Sequence, residues 1–264
     1  MNAVAVIPAR YGSTRFPGKP LARSTGKFLV QHVYERASGA ARVDRVIVAT
    51  DDRRVADAVT SFGGEVALTR SDHTTGTDRV AEVAGRLDLA DDDVIINVQG
   101  DEPELAPAAL NRLIERMEAC PTGVRIGTLA TRFDGRGPRD GPDSPLDPNR
   151  VKVVLDAAGC ALYFSRSMIP YPRESGGRVD QPADWLLHIG VYAFRWDALR
   201  RIAAHGVGGD VDHHALARVE SLEQLGWLVR GMRMAVCVVP EASVGIDTPE
   251  DYAAFVERMA ARRG

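Results

Sequence analysis

Four short apolar runs, each followed by a stretch with helical periodicity, constrain this chain more than any other feature. Residues 4–7, 45–49, 65–68 and 93–98 are the runs, and the last (Val94-Ile95-Ile96-Asn97-Val98 after Asp93) is the clearest buried strand. After them come the helical stripes Phe28, Val30, Val33, Tyr34; Val55, Val59, Phe62; Val80, Val83, Ala84, Leu87; and Leu110, Leu113, Ile114, Met117. Gly63-Gly64 supplies a stop for the second helix, and Thr77 is placed to cap the third. Short apolar strands alternating with helices at this interval predict an α/β fold, a largely parallel sheet with helices on both faces.

The second half reads differently. Residues 134–149 are crowded with Gly, Pro and Asp and read as a long loop, and 151–155 with 161–164 flank Asp156-Ala157-Ala158-Gly159 as a β-hairpin. Strands at 186–194 and 235–239, one helix over 215–229 and a closing helix from Pro249 complete the pattern. The whole predicts one domain, 1–264, whose sheet is mixed but mostly parallel, with an antiparallel insertion at about 134–232.

Of the 264 residues, 45% are hydrophobic and 26% charged, with a net charge of −3, so no sustained basic surface points to nucleic acid. Cys120, Cys160 and Cys237 have no ligand spacing, which argues against zinc or a disulfide framework and for a reducing compartment. No apolar stretch reaches the roughly 18 residues of a membrane span. Met1-Asn2-Ala3-Val4 lacks the basic start of a signal peptide and reads as a first strand. The expectation is a soluble cytoplasmic protein with no membrane or nucleic-acid partner.

The first run leads into Pro8-Ala9-Arg10-Tyr11-Gly12-Ser13-Thr14-Arg15-Phe16-Pro17-Gly18-Lys19-Pro20. Ligands of parallel α/β sheets bind beyond the carboxyl ends of strands, where this loop must lie. Gly12 and Gly18 let backbone approach a ligand, and Arg10, Arg15 and Lys19 offer charged donors to phosphate oxygens. A Walker loop is excluded, because Gly12 and Gly18 are one residue too far apart and Pro20 replaces the metal-holding hydroxyl. Two carboxylates complement the cations. Asp101, in Asn97-Val98-Gln99-Gly100-Asp101-Glu102-Pro103, follows a buried strand. Asp247 precedes Thr248-Pro249-Glu250-Asp251, in which Thr248 and Asp251 make a capping box and leave Asp247 unused. Hard oxygens beside a phosphate loop suit magnesium, which is usually held by one or two carboxylates plus phosphates.

These segments resemble the 3-deoxy-D-manno-octulosonate (Kdo) cytidylyltransferases. The likeness extends to Val48-Ala49-Thr50-Asp51, Thr69-Arg70-Ser71-Asp72-His73, Gly76-Thr77-Asp78-Arg79, Val151-Lys152-Val153-Val154, Ala161-Leu162-Tyr163-Phe164-Ser165-Arg166 and His188-Ile189-Gly190-Val191-Tyr192. The resemblance implies a Rossmann-like nucleotide-diphospho-sugar transferase fold, a homodimer and two magnesium ions. It also implies CTP and Kdo as substrates, in lipopolysaccharide-type glycan synthesis. By the same resemblance Arg10, Ser13, Arg15 and Lys19 hold the triphosphate, and Thr75, Gly76 and Arg79 line the nucleoside side. Asp101 and Asp247 bind metal, with Lys19 and Arg15 beside them at the reacting phosphate, and Gln99, Arg166, His188, Tyr192, Glu223 and Gln224 form the sugar-acid pocket. The chain departs from the family at Gly226, where arginine is usual, and over 208–217, which lacks the usual Ser-Pro-Leu-Glu. Both lie on the sugar side, so a modified acceptor such as 8-amino-Kdo is one alternative reading. A non-catalytic nucleotide sensor is another.

Overall fold

A computed structural model describes residues 1–12, 15–205, 215–240 and 243–262. The chain divides into two compact units, Met1–Ile114 with Ala193–Ala204 and Ser243–Gly264, and Glu115–Tyr192 with His205–Ala242.

The first unit carries the four predicted strands: β1 (Ala3–Pro8), β2 (Arg45–Thr50), β3 (Val66–Leu68) and β4 (Val94–Asn97). They pair in parallel in the order β3-β2-β1-β4, with Val6 opposite both Ile47 and Asn97. Val4–Ile7 and the whole of β4 are buried, as two covered faces require. α1 (Leu29–Ser38), α2 (Arg53–Ser61) and α3 (Gly76–Ala84) turn the predicted stripes inward; Leu29, Val30, Val33, Val55, Val59, Val80 and Val83 are all buried. Each such side chain contributes about 1.5–3 kcal/mol. Asp52 caps α2 by accepting from the Arg54 N–H, and Gly63 ends it at φ 78°, a conformation costly for other residues.

The cap of α3 is Thr75, not Thr77. Thr75 is extended and its hydroxyl accepts from the Asp78 N–H, whereas Thr77 lies inside the first turn and is 2% exposed. Among clustered threonines, the one three residues before a carboxylate wins, because its hydroxyl reaches the third amide of the helix. α4 (Pro107–Ala119) carries the predicted Leu110, Leu113, Ile114, Met117 face, all buried. α5 (Trp196–His205), which local pattern did not reveal, joins this unit through Trp196 N–H donating to the Asp93 carbonyl at 2.9 Å.

In the second unit β5 (Val124–Arg132) pairs in parallel with β9 (Arg233–Val238). β6 (Lys152–Leu155) and β7 (Ala161–Ser165) form the predicted antiparallel hairpin, and β6 also pairs antiparallel with β8 (Leu186–Arg195) through Lys152 and Leu187. Both units together make the strand set mixed and mostly parallel. β5 escaped the sequence reading because Gly127, Thr128 and Thr131 interrupt its apolar run. Thr128 and Thr131 are nonetheless buried, and the Thr128 hydroxyl donates to the Val191 carbonyl at 2.8 Å. The single helix expected over 215–229 is two, α6 (Ala215–Glu220) and α7 (Glu223–Val229), broken at Ser221 with φ 51°. A left-handed residue cannot continue a right-handed helix. α8 (Pro249–Ala261) closes the first unit behind the predicted Thr248–Asp251 capping box.

Candidate functional site

A cavity of about 230 Å³ opens at the carboxyl ends of β1 and β4, wholly within the first unit. β1 leads into it at Pro8-Ala9-Arg10, and the Ala9 N–H still donates to the Ala49 carbonyl at 2.9 Å. The basic loop closes on itself where the Gly18 N–H donates to the Tyr11 carbonyl at 3.0 Å. Gly18 has φ 73°, and a Cβ there would lie 3.3 Å from the Tyr11 ring, so both backbone and space select glycine. The Arg54 guanidinium covers that ring at 3.5 Å, itself held by the Asp52 carboxylate. Gly100 permits the close approach of the β4 exit, because a Cβ there would be 2.7 Å from the Pro8 carbonyl oxygen.

Lys19 is the centre of the cavity's charge. Its Nζ donates to Asp101 Oδ2 at 2.9 Å and to the Ile246 carbonyl at 2.7 Å, and lies 3.9 Å from Asp247 Oδ1. Arg15 reaches the same Asp247 oxygen at 3.0 Å. Asp247 is held there by its neighbours: Ile246 is buried against Leu29, Tyr252 and Phe255, its N–H donates to the Asp101 carbonyl, and the Asp247 N–H donates to Asp251. The two predicted carboxylates therefore converge on one lysine from segments far apart in sequence. Arg10 and Gln99 line the same cavity; Ser13 lies outside the described residues.

The cavity is also lined by Thr75 and Gly76, at the start of α3, and by Arg79. The Thr75 hydroxyl is engaged by its own helix, and Gly76 sits where a Cβ would press on Pro8 at 3.3 Å. Arg79 is 4% exposed and already paired, with Thr69, with the Arg70 carbonyl at 3.2 Å and with Asp51 at 3.4 Å. It braces this wall as well as lining it. His73, not singled out from sequence as a site residue, also lines the cavity, its Nε2 against the Glu82 carboxylate. Burial alone would raise the Glu82 pKa, but the bonds to His73 and the Arg70 N–H, with the nearby charge of Arg86, hold it below the usual range. A threonine-rich turn before a helix names the wall, but no local signal separates a histidine facing a cavity from one facing solvent.

Five of the six sugar-side candidates belong to the second unit; Gln99 belongs to the first. His188 and Tyr192 share a face of β8, with ring centroids 5.5 Å apart, as their spacing predicts. His188 meets Thr128 Oγ1 at 3.0 Å, and its desolvation pushes its pKa to about 3, which keeps it neutral at physiological pH. Tyr192 stands edge-on to Trp227 at 5.1 Å, and burial, with the Glu223 carboxylate, raises its pKa well above the usual value. Trp227 thus extends the aromatic face and was not among the candidates. Gln224 is buried beside it in α7, and Glu223 is half-buried in the first turn. Arg166 donates to the carbonyls of Glu220, Pro148 and Ser221 at 2.6, 3.0 and 3.3 Å.

A parallel α/β unit with a glycine- and proline-framed cationic loop, and a lysine bracketed by two carboxylates beyond the strand ends, has the layout of a nucleotide-binding site, and the comparisons place the chain among the nucleotidyltransferases. The chain matches the Cytidylyltransferase family model over residues 4–234. It is 48% identical to the 3-deoxy-manno-octulosonate cytidylyltransferase of Syntrophotalea carbinolica, over 95% of this chain and 96% of that one. Its identity to the Geobacter sulfurreducens enzyme of the same name is 45%, over 98% and 100%. A solved CMP:2-keto-3-deoxy-manno-octonic acid synthetase complexed with CTP superposes with a TM-score of 0.85 at 40% identity, covering 99% of this chain and 100% of that one. The chain belongs to the 3-deoxy-manno-octulosonate cytidylyltransferase family. Among the described residues no helix is long and apolar enough to cross a membrane.

Proposed function

We propose that this protein transfers CMP from CTP to the anomeric hydroxyl of Kdo, giving CMP-Kdo and pyrophosphate, as a cytoplasmic homodimer serving lipopolysaccharide-type glycan synthesis. The observation that carries the reading is Lys19 between Asp101 and Asp247 in the cavity fed by the basic loop. In the transfer, the anomeric oxygen forms a bond to the α-phosphorus as the bond from that phosphorus to the α–β bridging oxygen breaks. The hydroxyl proton passes to solvent, and pyrophosphate carries away the displaced charge.

Each side chain has a part in that scheme. Arg10, Arg15 and Lys19 supply fixed positive charge for the triphosphate, and Ser13 adds a hydroxyl in the same loop. The α3 wall of Thr75, Gly76 and Arg79 takes the nucleoside. Gln99, Arg166, His188, Tyr192, Glu223 and Gln224 grip the sugar acid. His188, being neutral, is a hydrogen-bonding partner rather than an anion's counter-ion.

The donor set fits magnesium. Two carboxylates already share one cation, Lys19 Nζ, and among the described residues no third His, Cys, Asp or Glu completes a closed all-protein cage. An open pair of hard oxygens beside a triphosphate is how magnesium is usually bound. Asp101 and Asp247 would hold it, and it would supply Lewis-acid polarisation and a lowered hydroxyl pKa.

The test is pyrophosphate release with CTP, magnesium and Kdo, run beside UTP, N-acetylneuraminate and 8-amino-Kdo. Release with CTP and Kdo alone is expected. Release with 8-amino-Kdo and not Kdo would move the acceptor to the modified sugar, and silence with every acceptor despite CTP binding would replace the enzyme by a sensor. The presence of both Lys19 and Asp101 in one cavity disfavours the sensor.

A further inference from the structure

Arg166 does not stand alone in the second unit. Three of the N–H groups of its guanidinium are engaged by the carbonyls of Glu220, Ser221 and Pro148. Its backbone is held as firmly as its side chain. The Arg166 N–H donates to Glu220 Oε2 at 2.9 Å, and the other Glu220 oxygen accepts from the Ser165 hydroxyl at 2.6 Å. The Arg166 carbonyl accepts from Lys152 Nζ at 2.6 Å, and the same ammonium donates to the Asp147 carbonyl at 2.8 Å.

Lys152 is 0% exposed, an uncommon place for a lysine whose near partners are neutral carbonyls. Burial pushes its pKa down to about 8, so the fold keeps this ammonium at a cost. What that arrangement secures is geometric: the β6 lysine and the α6 glutamate clamp Arg166 from both sides at the Ser221 break, directly before α7 and its Glu223 and Gln224.

We infer that Lys152 and Glu220 are positioning residues for acceptor-sugar recognition, holding Arg166 and the start of α7 in one fixed arrangement. Neither is assigned contact with a substrate; they act through Arg166. The inference rests on the acceptor role proposed for Arg166, and one of its two measurements is independent of that role.

The first measurement is amide hydrogen exchange in residues 166 and 222–229 of the substrate-free protein, for wild type, Lys152→Met, Glu220→Ala and Glu220→Gln. Faster exchange is expected in Lys152→Met and Glu220→Ala. Glu220→Gln, which keeps one acceptor oxygen, should fall between them and wild type. Unchanged exchange in the folded variants overturns the inference whatever the enzyme's substrate. The second measurement is steady-state kinetics. The acceptor KM should rise by about tenfold, as loss of a supporting contact typically does, while the CTP KM stays within about twofold. An equal rise in both would make the clamp a general structural element and overturn its acceptor-side role. A wild type silent with every acceptor would instead refute the proposed function, with exchange still deciding the clamp.

Discussion

Lys19 and Lys152 each have two oxygen partners within hydrogen-bonding distance, yet their surroundings differ in kind. Lys19 lies in an open cavity beside two carboxylates, one of them half-exposed and shared with Arg15. Its charge is matched by groups that could exchange it for another cation. Lys152 is buried and bonded to two carbonyls, and desolvation outweighs the nearby charges of Asp147 and Glu220 to bring its pKa to about 8. Carboxylate-matched cations in a polar cleft are poised for ligand exchange, whereas a carbonyl-bound buried cation organises backbone. The first unit thus concentrates exchangeable charge, and the second fixes geometry.

The contrast breaks most visibly at Asp101. Asp101→Asn keeps shape but removes charge, so turnover should fall by roughly 10³-fold while the melting temperature stays close to wild type. Near-normal turnover in pyrophosphate release would sink the charge-exchange reading of this cavity. Next in size is Gly100→Ala, whose Cβ would meet the Pro8 carbonyl oxygen at 2.7 Å. Two strand exits must then separate, and a loss of about 1–3 kcal/mol is expected, together with weaker CTP binding by calorimetry. Unchanged CTP affinity would show that the approach of these exits does not shape the nucleotide site.

Lys152 provides a signed pH test. Between about 8 and 10.5 the unfolded chain retains a proton at this lysine that the folded chain has released. The unfolded state then binds more protons, and the contribution of Lys152 to stability rises with pH across that window. Urea midpoints of wild type relative to Lys152→Met, taken at both ends of the window, should move in favour of wild type as pH increases. A relative movement the other way would mean that this lysine is not a desolvated cation. The smallest effect is expected at Thr75. Thr75→Ala removes the α3 cap and should cost about 1 kcal/mol, with Thr75→Ser restoring it and the CTP KM little altered in both. A large KM change without a stability change would instead put the hydroxyl on the nucleotide.

Much of the first unit was legible residue by residue. Short apolar runs located β1 to β4 and 3.6-residue periodicity located α1 to α4, most of them segments that bury apolar side chains, and the Thr248–Asp251 box marked α8 because capping is local chemistry. Composition alone marked the loop from Arg10 to Lys19 as a candidate for phosphate. Less could be read where burial is shared with polar groups. β5 buries threonines satisfied by partners distant in sequence, α6 and α7 part at one left-handed serine, and Thr75 rather than Thr77 caps α3 through an amide three residues on. His73 and Trp227 joined their sites only through three-dimensional neighbours.

The sequence by itself determined an α/β chain with a cationic strand-end loop and two candidate carboxylates, since periodicity, capping and loop chemistry act over a few residues. Only the tertiary structure decided that Asp101 and Asp247 meet at Lys19, that Arg79 is already braced by Asp51, and that Lys152 is buried beneath Arg166. Those outcomes depend on which strand ends and helices the packed chain brings within hydrogen-bonding distance, and distance through space is not written in the order of residues along it.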